Sequence, residues 1–171
     1  MHYAARHPDH PSKLVLSSAN GKTDRRAVEE AFERFGGVEA AAVARRFFND
    51  DPDGARADYV RVCLPLYNQH ADQNPSATLN RTRRNNSVMT HYMLGELRTL
   101  DLLGELAKIR CPTLVLAGEL DPICPVAIQH ALLDHLPAHL VRFELIPECG
   151  HGTYRDQPER TMTVLRDFLV E

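Results

Sequence analysis

The sequence lacks a long apolar segment and a block of basic residues. No apolar run approaches the roughly 18 residues that a membrane-spanning helix needs, and the opening MHYAARHPDH has no apolar signal-peptide core. The formal net charge of −3 gives no basic footprint for a nucleic acid or a membrane surface. We therefore predict a cytoplasmic protein that works on a small molecule or a peptide, without nucleic-acid or membrane partners.

Cysteine is scarce and irregularly spaced. The four cysteines form no C-x-x-C pair, which favours reduced thiols over a disulfide framework; they are Cys63, Cys111, Cys124 and Cys149. Nine histidines occur, but there is no H-E-x-x-H motif, and His130, His135 and His139 lack the spacing of helical metal ligands. The sequence therefore predicts neither a metal site nor a cofactor.

Strand and helix patterns alternate near both ends of the chain. Short apolar runs bounded by polar residues predict three buried parallel strands. They lie at 13–18, in 111–121, which ends in Gly-Glu-Leu-Asp, and in 140–152, where a turn follows the strand. Amphipathic spacing predicts helices at 125–137 and 157–171. The opening MHYAARHP is typical of the last turns of a helix. This alternation predicts an α/β fold, with a parallel sheet flanked by helices.

The middle of the chain, 23–103, has helical patterns and no strand pattern of any strength. We predict a first helix that begins at Thr23 or Asp24 and stops at the glycine pair 36–37, followed by a second helix that ends at DDPDG. The third predicted helix is interrupted or kinked at Pro65, and the fourth covers 77–97. The predicted organisation is therefore a partial α/β core at 1–22 and 104–171, with an all-helical cap inserted at 23–103.

Two polar residues follow predicted strands at places where parallel sheets gather functional groups. Asp121 follows TLVLAGEL, and His151 follows FELIPECG between two glycines. Glycine neighbours add no bulk and tolerate unusual dihedral angles, which suits a presented imidazole. An aspartate that accepts the Nδ1–H of a histidine leaves Nε2 free to act as a general base. We predict that Asp121 and His151 form such a pair.

Other interpretations of these residues stay open at this point. Asp121 is also typical of a turn before a proline, and His151 of a plain loop histidine. Glu119 is the second choice for the acid, although its place within the strand suits that role less well. We expect Asp156 to be solvated, as we do Glu148. Cys149, beside the histidine turn, is expected to be a small buried residue rather than a nucleophile.

The segments PTLVLAGELDPICP and PECGHGTYRDQPERTMTVLRDFL resemble the acid-bearing and histidine-bearing segments of the α/β-hydrolase fold. HYAARHPDHPSKLVLSSANG resembles the stretch that follows the nucleophile elbow of that family, and 23–103 falls where many members insert a cap. The proline iminopeptidase-like hydrolases look most similar. This resemblance covers nearly the whole chain but only the C-terminal part of a family member.

The resemblance implies a serine hydrolase that cleaves an amide or ester bond, with aminopeptidase activity favoured. The family nucleophile is a serine in G-x-S-x-G, and the chain contains no such motif. Ser17 and Ser18 end a strand and are not candidates for it. We therefore expect a truncated hydrolase that is inactive by itself. The alternative is a degenerate, non-catalytic module that binds a small molecule or a protein partner.

The resemblance also carries two expectations about surfaces. In the family sheet, the strand at 13–18 lies beside the strand that leads into the nucleophile. Without that neighbour its backbone edge is exposed, so we expect the isolated chain to associate with itself. In proline iminopeptidase-like enzymes, acidic residues of the cap hold the free amino group of the substrate. No motif in this sequence singles out such an acid.

Overall fold

A computed structural model describes residues 1–70, 83 and 85–171. Three parallel strands form one open sheet in the order β1 (Leu14–Ser17), β2 (Thr113–Gly118) and β3 (Val141–Ile146). Each strand lies within a segment that the apolar runs predict. The expected α/β class, a parallel sheet with flanking helices, is confirmed.

Eight α-helices are present in the described residues, and several are very short. They are α1 (His2–Arg6), α2 (Arg25–Arg45), α3 (Arg56–Asp58), α4 (Asn86–Leu94), α5 (Glu96–Thr99), α6 (Val126–Leu133), α7 (Thr153–Asp156) and α8 (Pro158–Val170). Shorter 3₁₀ turns cover Leu64–Tyr67, Leu103–Lys108 and Ala138–Leu140, and π-helical turns cover Arg46–Asp50 and Tyr59–Cys63. No helix in these described parts is long and apolar enough to cross a membrane.

The central strand β2 is buried along its whole length because helices cover both faces of the sheet. Its side chains alternate between the faces, as they must in a strand. Leu114 and Leu116 pack with Phe168 of α8 on one face. Val115 packs with Leu132 of α6 on the other face, where α1 also lies. This double cover explains why the strand is an unbroken apolar run.

The first cap helix differs from its prediction at the glycine pair. It begins as expected, with the carboxylate of Asp24 accepting a hydrogen bond from the amide of Ala27 at 3.0 Å. Gly37 leaves the helical region at φ 76° and ψ −175°, but the chain re-enters a helix at once. The predicted stop is therefore a kink within α2, which runs on to Arg45.

The third predicted helix, over 55–69, is interrupted near Pro65, as expected, but only its beginning is a regular α-helix. Its residues form α3, then a π-helical turn, and then a 3₁₀ turn that contains Pro65. A proline lacks the N–H that an α-helix needs, and it is well tolerated in the first turn of a new element. Residues 71–82 and 84, which include the first part of the predicted fourth helix, lie outside the described residues.

The helices of 23–103 pack around a core of their own. Phe32, Ala44, Phe47 and Tyr59 are buried in it, with the rings of Phe47 and Tyr59 stacked at 3.9 Å between centroids. Ile128 of α6 joins this core and so connects it to the rest of the protein. Phe32 and Phe47 are thus buried together in one core.

The two ends of this helical region meet. Lys22 and Asp101 form an isolated antiparallel bridge, and the Lys22 Nζ lies 2.7 Å from the Asp101 Oδ2. A chain that leaves and returns at one place has the geometry of an insertion between β1 and β2. The division into a core (1–22 and 104–171) and a cap (23–103) stays a prediction that these contacts support.

Candidate active site

Asp121 lies in the turn that follows β2, and its side chain is fully buried. One carboxylate oxygen, Oδ1, accepts hydrogen bonds from the amides of Ile123 and Cys124 at 2.8 and 2.9 Å. This is the geometry by which an aspartate closes its own turn. Asp121 is thus a turn residue, as one interpretation expected, but only Oδ1 is used for the turn. The second oxygen, Oδ2, remains available for another hydrogen-bond partner.

That partner is His151, in the loop after β3. Its Nδ1 lies 2.9 Å from Oδ2 and 3.1 Å from Oδ1 of Asp121. A carboxylate can only accept, so Nδ1 carries the proton and Nε2 is left with its lone pair. No described residue forms a hydrogen bond with Nε2. The structure therefore brings the two predicted site residues together, although they are 30 positions apart.

The histidine borders an open cleft. Its side chain is 33% exposed, and it lines a cleft of about 550 Å³ together with Ser17, Ser18, Tyr67 and Asn68. The ring of Tyr67 stands edge-on to the imidazole, with 5.4 Å between the centroids. A buried acid behind the histidine and an accessible cleft in front are what a general base requires.

Two hydrogen bonds fix the main chain of His151 itself. Its amide donates to the carbonyl of Tyr67 at 2.6 Å, and its carbonyl accepts from the hydroxyl of Ser18 at 2.7 Å. Ser18 adopts a positive φ of 45°, which is uncommon for a residue with a side chain. Segments from the helical region and from the end of β1 thus hold the histidine loop from two sides.

The glycines beside His151 are required for space, and the interpretation based on unusual dihedrals is wrong. Neither Gly150 nor Gly152 has a positive φ; the positive φ in this loop belongs to Glu148, at 52°. A Cβ on Gly150 would collide with the carbonyl of Tyr67. One on Gly152 would crowd the Asn68 side chain. The chain of 67–68 lies too close to the loop for any larger residue.

Asp156 is not solvated, so that expectation is also wrong. Its side chain has no exposure, and its carboxylate accepts three main-chain hydrogen bonds. The donors are the amides of Gly150 at 2.8 Å, Gln69 at 3.0 Å and His70 at 3.1 Å. One carboxylate therefore joins the histidine loop to residues 69–70. Glu148 is exposed, as expected.

Asp156 is the main site residue that the sequence interpretation missed. The sequence offered one signal for it: Asp156 lies in the short helix directly after the glycine-histidine-glycine loop, and a polar residue there is close enough to bind the main chain of the loop. Glu119, the second choice for the acid, is exposed and accepts from the amide of Glu148 at 3.3 Å. In the described residues, Glu119 forms no hydrogen bond with His151.

The other polar groups near the histidine are poor nucleophiles. The hydroxyl of Ser18 donates to the His151 carbonyl instead of to the ring. Cys149 is fully buried, and burial, reinforced by the charges of Asp156 and Asp121, raises the pKa of its thiol to about 12. A thiol with that pKa stays protonated at neutral pH and is unreactive.

Asp121, Cys124 and His151 bring an oxygen, a sulfur and a nitrogen within 4.8 Å of one another, a distance that a metal ion could bridge. Hydrogen bonds already account for these atoms, since the Cys124 thiol donates to the Ser18 carbonyl at 3.0 Å. Burial and the charge of Asp121 raise the pKa of the Cys124 thiol, whereas a metal ligand must be a thiolate. The arrangement suits a hydrogen-bonded pair better than a metal centre.

Comparisons with known proteins identify the family to which the chain belongs. The family described as "Serine aminopeptidase, S33" matches residues 1–158. The chain belongs to this family. Its fold is that of the α/β hydrolases, as the resemblance implied.

Proteins of similar sequence are named as several kinds of hydrolase. A protein named as the protein-lysine deacylase ABHD14B, from Rattus norvegicus, is 38% identical over 65 residues, which are 38% of this chain and 29% of that protein. A protein named as the carbamate hydrolase RutD, from Caulobacter sp., is 26% identical over 171 aligned positions, covering 97% of this chain and 59% of that protein. The chain thus spans well under two thirds of these relatives.

A solved structure gives the same result for the fold. The proline iminopeptidase of Mycobacterium smegmatis superposes with a TM-score of 0.64 at 21% identity, covering 98% of this chain and 60% of that protein. At this level of identity the match speaks for the fold alone. Nearly the whole of this chain therefore superposes on a little more than half of an α/β hydrolase.

Proposed function

We propose that Asp121 and His151 are the acid and the base of a serine hydrolase that cleaves an amide or ester bond. The contact of 2.9 Å between His151 Nδ1 and the buried Asp121 carboxylate, in a histidine that lines an open cleft, carries this proposal. In the proposed whole protein the nucleophile comes from sequence upstream of Met1. The 171-residue chain alone is then inert.

The geometry suits the proposed steps. Nε2 of His151 would take the proton of the nucleophile as it attacks the substrate carbonyl, and would later give that proton to the leaving group. Asp121 holds the imidazole in the required tautomer and stabilises the imidazolium. Its own turn fixes Asp121, so the carboxylate needs little reorganisation when the charge forms.

The relatives suggest the substrate class. Their names are a protein-lysine deacylase, a carbamate hydrolase and a proline iminopeptidase, and such reactions take place at a carbonyl bonded to nitrogen or oxygen. We favour aminopeptidase activity of the proline iminopeptidase type, because the sequence resemblance is closest in character to that group. Esters remain substrates to be assayed alongside.

The decisive experiment extends the protein upstream of Met1. We expect the preceding DNA to encode an in-frame G-x-S-x-G motif. A protein extended through that motif should hydrolyse aminoacyl and p-nitrophenyl ester substrates. His151→Ala should lower kcat by at least about 10³-fold, as loss of a triad base does. His139→Ala serves as the control, since His139 is exposed in a 3₁₀ turn.

Two results would contradict the proposal. One is turnover by the 171-residue chain that Ser17→Ala or Ser18→Ala abolishes, because the nucleophile would then lie within this chain. The other is an upstream region without the motif, together with an extended protein that binds small molecules but never turns them over. That second result would favour a non-catalytic binding module.

A further inference from the structure

A small cavity lies between the cap helices and the turn that carries the candidate acid. Its volume is about 110 Å³, comparable with cavities that hold a single aromatic ring. Most of its wall is apolar, formed by Val28, Ala44, Phe48, Leu97 and Ile123. The amide of Ile123 donates to Asp121, so one wall of the cavity is fixed to the candidate acid.

Two polar atoms at this cavity are buried and have no hydrogen-bond partner. They are Nη2 of Arg25 and the hydroxyl oxygen of Thr23. The other guanidinium nitrogen of Arg25, Nη1, donates to the side chain of Asn49 at 2.6 Å, so the guanidinium is held in place. A buried N–H of a charged group without an acceptor is costly. Arg25 is also one of the residues that line the cavity, so the missing acceptor points to a ligand there.

Charges of both signs lie near this guanidinium. Burial, and then the charge of Arg98, lowers the pKa of Arg25, while the charge of Asp50 acts in the opposite direction; Arg98 itself donates to the main-chain carbonyl of Asn49. Arg45 also lines the cavity, and Glu29 is the one acid among its lining residues. No ion pair joins Arg25 to a carboxylate in the described residues, whereas the neighbouring Arg26 pairs with Glu30 at 2.7 Å.

We propose that this cavity binds the carboxylate of a small apolar acid, with the acid group on Arg25 and the apolar body against the Val28 and Phe48 side. A guanidinium recognises a carboxylate through two parallel hydrogen bonds, and the apolar wall excludes a bare inorganic anion. As a substrate pocket this rests on the proposed serine hydrolase but not on the favoured aminopeptidase substrate, whose free amino group carries the opposite charge. Binding itself rests on neither.

The test is a binding titration of the 171-residue chain, followed by NMR, with three probes of equal size: benzoate, benzamide and benzylamine. We expect benzoate to bind and to shift the Ile123 amide, with neutral benzamide at least about ten-fold weaker, as for loss of a charged hydrogen bond. Arg25→Gln should weaken benzoate by a similar factor, whereas Arg26→Gln, with an 88% exposed side chain, should not.

Circular dichroism of each variant verifies that it is folded. Arg25→Lys separates charge from geometry, because a lysine keeps the charge without the planar fork, and should restore only part of the affinity. Equal binding of benzoate and benzamide, or benzoate binding that Arg25→Gln leaves unchanged, would overturn the proposal. Benzylamine binding that Glu29→Gln abolishes would assign the cavity to an amine instead. Turnover by the extended protein is measured separately, so either proposal can fail alone.

Discussion

Asp121 divides its carboxylate between two tasks. Oδ1 closes the turn through two amides, while Oδ2 receives the imidazole of His151. This explains why the turn interpretation and the catalytic interpretation of the same residue were both reasonable from sequence. The turn holds the acid rigid, and a rigid acid is what orients a histidine well.

We expect Asp121→Asn to separate these tasks. The amide oxygen can still close the turn, but the amide N–H₂ would face Nδ1 and force the proton to Nε2. The ¹⁵N shifts of the imidazole in the 171-residue chain report this change of tautomer directly. In the extended protein, activity should fall on the order of 10⁴-fold for the same reason. Glu119→Gln should leave both readouts unchanged; an unchanged tautomer in Asp121→Asn would refute the pairing.

Asp156 is a second buried carboxylate, held by three main-chain donors, with Nδ1 of the exposed His70 side chain 3.7 Å from its Oδ1. We expect Asp156→Asn to lower the free energy of unfolding by about 1–3 kcal/mol, since an amide offers one acceptor oxygen to three buried N–H groups. Hydrogen exchange should accelerate most at the amides of Gln69, His70 and Gly150. Urea denaturation and exchange NMR measure these effects. Asp134→Asn is the matched control, because Asp134 is exposed, and equal behaviour of the two variants would refute the role.

At the scale of elements, the kink in α2 depends on one glycine. Gly37 has φ 76° and ψ −175°, a region that is open almost only to glycine. The kink turns the second half of the helix so that Ala40 and Ala44 enter the same core as Phe32. Glycine at this position therefore shapes the cap while keeping the helix nearly continuous.

Gly37→Ala should destabilise the protein by about 1–3 kcal/mol, because an alanine is strained at this positive φ. A new Cβ there would meet nothing within 4 Å, so a steric clash does not contribute. Thermal and urea denaturation measure the change. Gly104→Ala is the control: it also has open space within 4 Å and its φ is not positive, so its effect should be small. A loss of equal size in both variants would show that strain at Gly37 is not the cause.

Elements with a local signal were predictable, and contacts between distant segments were not. The strands and α8 follow from apolar periodicity, which is a local signal that can be seen within a short segment of sequence. The burial of Asp156 depends on amides at 69 and 70, more than 80 residues away, and no local pattern encodes that. Likewise, the reason for Gly150 is a carbonyl at Tyr67. The Asp121–His151 pair was predictable because both residues follow strands of a parallel sheet.

At the scale of the whole molecule, all four cysteines are free and buried, as their spacing suggested. Burial is the first cause that raises the pKa of Cys63 to about 11 and that of Cys149 to about 12, from an ordinary value of 9.0. The folded protein thus keeps these thiols neutral at a pH where the unfolded chain ionises them.

The stability of the fold should therefore fall as pH rises above about 9. Below the ordinary thiol pKa of 9.0 the thiols are protonated in both the folded and the unfolded state, and the stability is unaffected by their titration. Between pH 9.0 and the raised pKa values, only the unfolded state loses these protons, which favours unfolding. Each such thiol adds a slope of ~1.4 kcal/mol per pH unit. Urea denaturation from pH 8 to 10.5 measures it, and Cys149→Ala should reduce the slope. An unchanged slope would contradict the assignment.

We propose that the chain associates with itself through β1, which pairs with β2 on one side only in the described sheet. Unpaired strand edges favour such pairing. Sedimentation at micromolar concentration should show dimers or larger species, and Ser17→Lys, at an exposed position of β1, should reduce them. Ser12→Lys, exposed just before the strand, is the control. A monodisperse monomer in the unsubstituted chain would refute this proposal.

The grip of residues 67–70 on the histidine loop limits how the two parts of the molecule can be recombined. The Tyr67 carbonyl receives the His151 amide, and Asp156 receives the amides at 69 and 70. A cap transplanted from a relative would remove these partners unless its own chain followed the same path. Chimeric enzymes in this family should therefore be joined outside this segment, with residues 67–70 and 149–156 exchanged together as one unit.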